Sequence, residues 1–521
     1  MIKISDKDLT IDELVQVARG YVPVMLCDDI KEGILRSREV VDSMVNERQV
    51  VYGITTGFGS LAKTVIEPEA VQELQRNLIV SHACGVGDAL PEDVVRAMIL
   101  LRAKSLAWGH SGVRLVLIER LLDLLNKRVT PIVPEKGSLG ASGDLCPLSH
   151  MVLPLIGEGE AIYEGERLNG ALAMRLAGIE TITLEAKEGL ALNNGTQCMT
   201  AVGALAVYDA WNLLETAEKA AALTLEALNG RVDALDERIH ALRRHSGQRI
   251  SAALILEYTK GSTFINNSKP SRDGDFRIQD AYALRCVPQV HGASRDSLTH
   301  ITQIVEQEMN SVTDNPLIVG NEAISGGNFH GQPVALVMDF LGIALAELAN
   351  ISERRLERLL NDNLSNGMPS YLIAEKEKKG LHSGFMIVQY TAASLVSENK
   401  VLAHPACVDS IPSSNSQEDH VSMGTIAARK AAQILENVMQ VIAMELLVAA
   451  QAVDLRRKRG EWSNPESEKP KWFGPERPTD LGQTTEKVYN KIRTKVAPLQ
   501  KDRILAPDIA AVAELIRAEV F

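Results

Sequence analysis

The sequence predicts a mainly α-helical protein, in which a long central bundle of antiparallel helices follows a smaller N-terminal domain of mixed structure. Three largely apolar stretches, residues 197–228, 334–364 and 429–457, have helical character and contain no proline. Several helices of this length in one chain are typical of helix bundles. Before them, short helical signals alternate with glycine- and proline-containing loops. We therefore place the N-terminal domain at residues 1–195 and the helical bundle, with the C-terminal helices, at 196–521.

The N-terminal domain is predicted to open with a short helix. Thr10 and Glu13 have the spacing of a capping box ahead of an apolar run that Gly20 ends. A further helix is predicted over residues 69–82, where apolar side chains recur on one side. Residues 50–59 begin like a strand and are then broken by three glycines, so we expect a loop there.

The predicted bundle helices are unusually apolar. The helix over residues 197–228 stops at an Asn-Gly pair, a common helix ending, and the helix over 334–364 begins apolar nearly all round. Such helices are normally buried on most sides. Their apolar surface exceeds what one subunit can easily bury, so we expect an obligate oligomer. Residues 460–480 are polar with four prolines, which predicts a loop between the last long helices.

Composition argues against several classes of function. A formal charge of −12 and the lack of a basic run interleaved with aromatic residues argue against a nucleic-acid partner. The six cysteines show no Cys-x-x-Cys pair and no histidine at zinc-ligand spacing, which indicates free thiols in a reducing cytosol and no metal site. The N-terminus lacks an apolar signal core, and the apolar stretch at 441–453 is too short to span a bilayer. We expect a soluble cytoplasmic protein with no membrane partner.

The most informative motif is Ala141-Ser142-Gly143, within the run Gly-Ser-Leu-Gly-Ala-Ser-Gly-Asp-Leu. Because glycine has no Cβ, the Gly143 nitrogen can approach the Ala141 carbonyl carbon closely. Ring closure with loss of water, and loss of the Ser142 hydroxyl, would produce a methylidene-imidazolone. This group is an electrophile, which ordinary side chains do not supply. The motif therefore predicts an enzyme.

A glycine-rich loop has other interpretations. It can be a plain turn, or it can hold a phosphate on backbone amides. A Walker loop would end in Gly-Lys-Ser/Thr, whereas Asp144 follows the tripeptide here. The dinucleotide pattern Gly-x-Gly-x-x-Gly is also absent. The tripeptide alone leaves the turn as the main alternative.

Five further segments are rich in polar residues and have a composition typical of neither a buried core nor an exposed surface. Taken singly, each is compatible with a helix cap, a structural ion pair or a turn. The segments are residues 193–196, 279–289, 313–316, 326–331 and 413–420.

The tripeptide run and the order of these segments together resemble the aromatic amino-acid ammonia-lyases, from about Thr10 to Pro507. The resemblance implies a fumarase/aspartase-like helical fold and a homotetramer whose active sites are shared between subunits. It also implies that 4-methylidene-imidazol-5-one (MIO) forms from Ala141, Ser142 and Gly143, with no metal or nucleotide cofactor. A fumarase/aspartase-type lyase itself would carry a Gly-Ser-Ser-x-Met-Pro loop, which this chain lacks.

The same resemblance assigns roles to residues around the electrophile. Tyr52 would be the general base that takes the substrate β-proton as an ionised phenol, so its surroundings would have to lower a pKa that is normally ~10. Arg285 would clamp the substrate carboxylate, a bidentate task suited to a guanidinium. The sequence leaves open whether the electrophile bonds to the substrate amine or to its ring. The remaining pocket residues would be the hydrogen-bond donors Asn194, Gln279 and Tyr282 and the wall residue Phe329. Tyr282 and Glu418 would also belong to the catalytic set.

Two positions indicate the substrate. The Ser81-His82 pair and Glu418 are similar to the histidine-specific members of the family, although Ser416 stands where those members often have asparagine. An imidazole ring needs a partner for each nitrogen, and a histidine with a carboxylate supplies both. A phenyl ring would leave Glu418 unpaired. We therefore expect His82 and Glu418 to hold L-histidine, with trans-urocanate and ammonia as products.

Two alternatives belong to different classes. A tyrosine or phenylalanine ammonia-lyase, or a 2,3-aminomutase, would share the scaffold, but His82 and Glu418 argue against these substrates. A catalytically silent helical oligomer would not need the catalytic set, so the presence of Tyr52, Asn194 and Arg285 argues against it.

Overall fold

The computed structural model describes residues 1–267, 278–373, 380–458 and 478–521. Most of the loop predicted at 460–480 therefore lies outside the described residues. Helices contain 59% of the residues, which confirms the predicted mainly α-helical fold class.

The secondary structure consists of short strands in the N-terminal half and near residue 320, and of helices along the whole chain. The strands are β1 (Ile2–Ile4), β2 (Val24–Leu26), β3 (Val86–Ala89), β4 (Thr130–Pro131), β5 (Pro134–Lys136), β6 (Glu160–Tyr163), β7 (Glu166–Asn169), β8 (Leu317–Val319) and β9 (Glu322–Ile324). The helices are α1 (Ile11–Ala18), α2 (Lys31–Asn46), α3 (Val71–His82), α4 (Glu92–Ala107), α5 (Leu115–Asn126), α6 (Leu145–Val152), α7 (Gly170–Leu176), α8 (Glu188–Asn193), α9 (Gln197–Ala227), α10 (Glu237–Ala241), α11 (Ser246–Tyr258), α12 (Tyr282–Arg285), α13 (Val287–Met309), α14 (Gln332–Leu360), α15 (Met386–Leu402), α16 (Gly424–Arg457), α17 (Gln483–Lys495) and α18 (Ala506–Arg517).

The described chain forms two compact units, each made of three segments. The first unit comprises Met1–Tyr208, Ile301–Asp339 and Pro405–Lys430. The second unit comprises Asp209–His300, Phe340–His404 and Ala431–Phe521. The domain boundary predicted between residues 195 and 196 stays a prediction.

The strands of the first unit form small, separate sheets. β1 and β2 pair in parallel, β4, β6 and β7 form an antiparallel three-stranded sheet, and β3–β5 and β8–β9 are antiparallel pairs. Residues 50–59 contain no strand, as the glycines predict: they form turns and an isolated bridge, and a short 3-10 helix begins at Gly59. These sheets are too small to form a core, so helices supply most of the buried surface.

Helix α4 lies at the centre of the first unit and carries a buried cation that caps two neighbouring helices. The Arg96 guanidinium donates to the carbonyl oxygens of Val17 and Ala18 at the end of α1, at 2.8 and 3.1 Å. It also donates to Leu125 at the end of α5, at 3.2 Å. The last carbonyls of a helix lack partners within the helix, and a cation there also complements the helix dipole. Arg96 therefore fixes the ends of α1 and α5 on α4.

The long helices confirm the predicted positions to within a few residues. α9, α14 and α16 cover the three stretches predicted from apolar character, and α1 begins with the Thr10–Glu13 capping box. At the end of α9, Asn229 adopts the left-handed conformation with φ +52°, so asparagine rather than the following glycine reverses the chain.

A buried carboxylate connects three long helices inside the second unit. Glu445 of α16 accepts hydrogen bonds from the Arg355 guanidinium of α14, with Nε at 2.6 Å and Nη2 at 2.7 Å. The hydroxyls of Thr224 on α9 and Ser352 on α14 donate to the same carboxylate at 2.7 and 2.6 Å. All four side chains are fully buried. This network gives the apolar helices a specific register, because each partner satisfies a group that water cannot reach.

Two of these helices, α14 and α16, are long and apolar enough to cross a membrane by length and composition alone. In α16, 94% of the most apolar window is buried inside the protein, and in α14 the share is 67%. Burial of this extent is typical of core helices. The exposed part of α14 includes Leu336, Phe340 and Ile343, which are spaced along one helix face and are 39–50% exposed.

We expect Glu445→Leu to lower the free energy of unfolding by about 3–5 kcal/mol, because it leaves the Arg355 charge buried without a partner. Urea unfolding at one fixed chain concentration measures the change. The matched control is Arg517→Ala, which removes the partly exposed pair with Glu436 and should cost less than about 1 kcal/mol. Equal losses in the two variants would contradict the importance of the Glu445 network.

Candidate active site

The loop that carries the tripeptide lies between β5 and α6 and makes a very tight turn. Isolated backbone bridges join Ala141 with Gly143, and Gly143 with Gly195. Gly143 has φ +74°, and a Cβ at this position would lie 2.1 Å from the Gly195 carbonyl oxygen. Only glycine fits such a contact. The turn therefore holds the first and third residues of the tripeptide side by side.

Asn194 directs its side-chain amide at the middle residue of the tripeptide. Its Nδ2 donates to Ser142 Oγ at 2.5 Å and to the Ser142 carbonyl oxygen at 3.3 Å. The main chain of Asn194 is held from behind, because the buried guanidinium of Arg102 donates to its carbonyl oxygen at 2.6 Å. Burial lowers the pKa of Arg102 to about 10, and the charge of Asp314 opposes that shift.

Asp314 is also the partner of a second buried cation. The ammonium of Lys187 lies 2.5 Å from the Asp314 carboxylate, and both side chains are fully buried. Burial lowers the pKa of Lys187, and the charge of Asp314 opposes that shift. The sequence alone predicts a turn at residues 313–316. This segment also supplies a negative charge, on Asp314, to the buried cations Lys187 and Arg102 behind Asn194.

The tripeptide loop is fixed at its C-terminal end by Asp144. This fully buried carboxylate accepts hydrogen bonds from Ser138 Oγ at 2.8 Å, from the Met199 N–H at 2.9 Å and from Thr425 Oγ1. Burial raises the pKa of Asp144, and these hydrogen bonds oppose the shift. Met199 and Thr425 lie in the first turns of α9 and α16, where the helix dipole favours a negative charge. Asp144 thus holds the loop on two helix N-termini.

The loop that carries Tyr52 lies against the segment that carries Glu418. The Gly59 N–H donates to Tyr52 Oη at 3.2 Å, and the neighbouring Ser60 N–H donates to Ser414 Oγ at 3.3 Å. A Cβ on Gly59 would lie 2.6 Å from that same hydroxyl oxygen. Two predicted site residues from distant parts of the chain are therefore brought together by loop-to-loop contact.

Residues 413–418 form a compact hairpin whose backbone is strained. The Ser413 N–H donates to the Glu418 carbonyl oxygen, and Ser413 Oγ donates to the Glu418 carboxylate, both at 2.9 Å. Between them, Ser414, Asn415 and Ser416 all adopt positive φ values of 51–63°. Non-glycine residues in this region cost conformational energy and persist where surrounding contacts require them. The hairpin fixes the orientation of Glu418.

The segment after this hairpin packs on the tripeptide. Val421 and Met423 form a small buried apolar cluster with Ala141, and the Met423 N–H donates to the Leu139 carbonyl oxygen at 3.3 Å. One continuous segment therefore contacts the Tyr52 loop through its hairpin and the tripeptide loop through its next residues.

His82 is the last residue of α3. Burial lowers its pKa, while a hydrogen bond to the backbone of Leu78 and the negative charge of Glu418 oppose the shift. The ring nitrogen Nδ1 lies 3.1 Å from Ser81 Oγ. The side chain is therefore an uncharged imidazole above its lowered pKa, within the electrostatic influence of Glu418.

The environment of Tyr52 differs from the expectation. Burial raises its pKa, the Gly59 N–H opposes that shift, and the charge of Glu418 raises the pKa further. We expected surroundings that lower this pKa, and within this unit they do the opposite. The main physical reason is burial, which disfavours the charged phenolate, and the carboxylate of Glu418 adds to the effect.

The remaining predicted residues belong to other segments of the chain. Phe329 is half-buried in the turn before α14, in the first unit. Gln279, Tyr282 and Arg285 belong to the second unit, where Gln279 is exposed and Tyr282 is 70% exposed. The Arg285 guanidinium lies 4.5 Å from the centre of the Tyr282 ring and donates to the Asp280 carbonyl oxygen at 2.9 Å. No group of three or more metal-ligating side chains occurs in the described part of the chain.

Sequence reasoning did not identify three residues that organise this site. Asp144 precedes α6, where an aspartate commonly caps the helix, but its side chain makes no such cap and bonds α9 and α16 instead. Arg102 had no signal in the sequence, because it acts on Asn194 across 92 residues of sequence. Ser413 lies only five residues from Glu418, but nothing in the sequence indicates that its hydroxyl bonds that carboxylate. The assembled residues provide a tight glycine turn at the tripeptide, a phenol, and a histidine within the electrostatic influence of a carboxylate.

Comparison with known proteins gives a consistent result. The family model described as aromatic amino acid lyase matches residues 9–494. Histidine ammonia-lyase of Caldanaerobacter subterraneus subsp. tengcongensis is 55% identical over 99% of this chain and 96% of its own. Among solved structures, histidine ammonia-lyase from Trypanosoma cruzi is 40% identical, with a TM-score of 0.88 over 100% of this chain and 94% of that one. Tyrosine aminomutase from Streptomyces globisporus is 37% identical, with a TM-score of 0.91 over 100% and 97%.

We expect Glu418→Gln to lower the pKa of Tyr52, because the substitution removes the negative charge that raises it. Ultraviolet titration of tyrosinate, taken as the difference between each protein and its Tyr52→Phe counterpart, isolates this phenol. Asp419→Asn, an exposed neighbour, is the control and should leave the titration in place. An unchanged midpoint in Glu418→Gln would contradict the electrostatic contact.

Proposed function

The chain belongs to the aromatic amino acid lyase family, and on this premise we propose that it eliminates ammonia from L-histidine to give trans-urocanate. One observation carries the substrate assignment: the charge of Glu418 acts on His82, in the unit that also holds the tripeptide loop. A carboxylate and an imidazole together suit a ring with two nitrogen atoms. Relatives named histidine ammonia-lyase, at 54–55% identity over nearly the whole chain, support the same substrate.

We propose that the electrophile is the methylidene-imidazolone of Ala141, Ser142 and Gly143. The fit is seen in the backbone, where a Cβ on Gly143 would collide with Gly195 and the tripeptide ends lie side by side. When formed, the group supplies an electrophilic carbon that activates the substrate for loss of ammonia. Asn194 is placed to donate to it, since its amide already reaches Ser142.

Proton removal is assigned to Tyr52. Its Oη would take the β-proton of the substrate, and the Gly59 N–H that donates to this oxygen would stabilise the phenolate. Burial of the phenol excludes water from the proton transfer, at the cost of a raised pKa. Glu418, assigned both catalytic and binding roles, would hold the substrate ring beside this base together with His82.

The remaining assignments concern the amino-acid end of the substrate. Arg285 would bind the carboxylate, with Gln279 and Tyr282 as hydrogen-bond donors and Phe329 as the wall of the pocket. The high exposure of Tyr282 and Gln279 in the single chain is compatible with residues that a neighbouring subunit covers.

We propose a cytoplasmic homotetramer with shared active sites, acting on a small molecule rather than on nucleic acid or membranes. The apolar stripe of Leu336, Phe340 and Ile343 on α14 supports oligomer formation, because a monomer would leave these side chains in water. The net charge of −12 supports the lack of a nucleic-acid partner.

We expect Ser142→Ala to keep the fold and the oligomeric state and to lose nearly all turnover, because no methylidene can form. Ultraviolet absorbance of the unsaturated product measures turnover, and intact-mass analysis should show the parent lighter than its printed sequence by two waters. Full activity in Ser142→Ala would refute the electrophile.

We expect His82→Leu to reduce kcat/KM for L-histidine by about tenfold or more, since a buried polar contact to the ring is lost. The ratio of phenylalanine to histidine turnover should rise. Val80→Ala, at an exposed site on the same helix, is the control. Unchanged histidine kinetics in His82→Leu would refute the assignment, and a parent that prefers L-tyrosine or L-phenylalanine would favour the alternatives on this scaffold.

A further inference from the structure

The chain leaves helix α3 directly after His82 by a tight turn. The Cys84 N–H donates to the His82 carbonyl oxygen at 3.0 Å, and Ala83 between them has φ −80° and ψ 66°. These angles and this hydrogen bond define an inverse γ-turn, which is common where a loop starts. Because the turn consists of only three residues, a group that holds the next residue, Gly85, also restrains the backbone of His82.

A histidine of helix α6 holds Gly85. The Gly85 N–H donates to His150 Nε2 at 3.0 Å. A backbone N–H only donates, so this contact assigns the acceptor lone pair to Nε2. Burial lowers the pKa of His150. The ring is therefore uncharged at neutral pH, above that pKa, and keeps the lone pair that Gly85 needs.

The backbone at Gly85 lies directly against one face of α6. A Cβ on Gly85 would lie 3.1 Å from Pro134 Cβ and 3.2 Å from both Cys146 Sγ and His150 Nε2. Cys146 and His150 are four residues apart in α6, so they lie on the same helix face. Glycine at position 85 permits this close approach, and His150 supplies the hydrogen bond at the contact.

The same helix follows the tripeptide. α6 begins at Leu145, and Asp144 alone separates it from Gly143. His150 lies about 7.5 Å further along the axis, at ~1.5 Å per residue. One short helix therefore carries the tripeptide loop at its start and the Gly85 contact near its end. The hydrogen bond to Gly85 connects this helix to the residue that ends at His82.

We propose that His150 is a positioning residue for substrate recognition: by accepting the Gly85 N–H, it sets the position of His82 relative to the tripeptide. This inference rests on the proposed function, because it concerns the residue assigned to the substrate ring. His150 acts through His82 and needs no contact with the substrate. A binding group displaced by about 1 Å can lower a rate substantially, so one hydrogen bond at this place affects turnover.

A double-mutant cycle on the purified enzyme tests the proposal. His150→Leu removes the acceptor and should lower kcat/KM for L-histidine by about fivefold, the effect of one ordinary hydrogen bond. The loss is partial because β3 still pairs with β5 from Val86 onward. In a His82→Leu background the same change should have little further effect, because no imidazole is left to position.

Two results of this cycle would overturn the proposal. A merely structural role for His150 lowers the amount of active enzyme, so kcat/KM would fall by the same factor in both backgrounds. An unchanged kcat/KM in His150→Leu would show that the hydrogen bond has no effect on turnover.

Two further variants separate the hydrogen bond from packing. His150→Gln keeps an acceptor at the end of a side chain of similar reach and should restore kcat/KM to within about twofold of the parent. A folded His150→Gln enzyme as impaired as His150→Leu would overturn the proposal. If His150→Leu does not fold, Gly85→Ala decides, because its methyl group pushes the segment off α6. Its loss of kcat/KM should also disappear in the His82→Leu background, and a loss that persists there would overturn the proposal.

The matched control is a second histidine of the first unit that bonds a backbone group. His110 Nδ1 lies 2.9 Å from the Ile318 carbonyl oxygen, and His110→Leu should leave kcat/KM at the parent value. A fivefold loss in this control would show that any such contact matters equally, which would contradict a specific role for His150.

The parent enzyme separates the two levels of inference. A parent that deaminates L-histidine, with a cycle that shows equal losses in both backgrounds, overturns only the role of His150. A parent that shows no activity on L-histidine overturns the proposed function, and with it the assignment of His82 on which the role of His150 depends.

Discussion

The organisation of the site depends on one buried carboxylate. Asp144 accepts hydrogen bonds from the first turns of α9 and α16, so the residues just before these helices arrive at the same loop. Asn194 precedes α9, and the segment with Glu418 precedes α16. Three parts of the chain, separated by more than fifty residues from one another, meet because a single acceptor satisfies donors from all of them.

The second constraint is electrostatic, because the charge of Glu418 affects both the proposed substrate recognition and the proposed general base. Glu418 is proposed to select a nitrogen-containing ring, yet its charge also disfavours the ionised form of Tyr52. Arg102 and Lys187 are buried cations in the same unit, but they are engaged with the Asn194 carbonyl and with Asp314.

The secondary structure could be predicted from the sequence more completely than the side-chain contacts that hold the site together. The long helices, the Thr10 capping box and the loop at Tyr52 were predictable because apolar periodicity and glycine placement act locally. The family resemblance added the site residues, whose roles stay proposals. The three left-handed residues of the 413–418 hairpin, the donor role of Ser413 and the cap supplied by Arg96 were not predictable. The Arg96 cap depends on partners distant in sequence. Ser413 and Glu418 are only five residues apart, but their hairpin packs on the distant Tyr52 loop, and neither composition nor spacing encodes that geometry.

The close approach of Gly143 to Gly195 has a consequence for when a newly made chain could form its electrophile. The turn that aligns the tripeptide packs on Gly195 and leads into the buried Asp144, and the unfolded chain holds neither contact. Ring closure would therefore wait for folding to finish. A newly made chain would be inert at first, and its reactive group would mature only in correctly assembled molecules. Misfolded copies would therefore lack the reactive electrophile, because their backbone could not form the turn that ring closure requires.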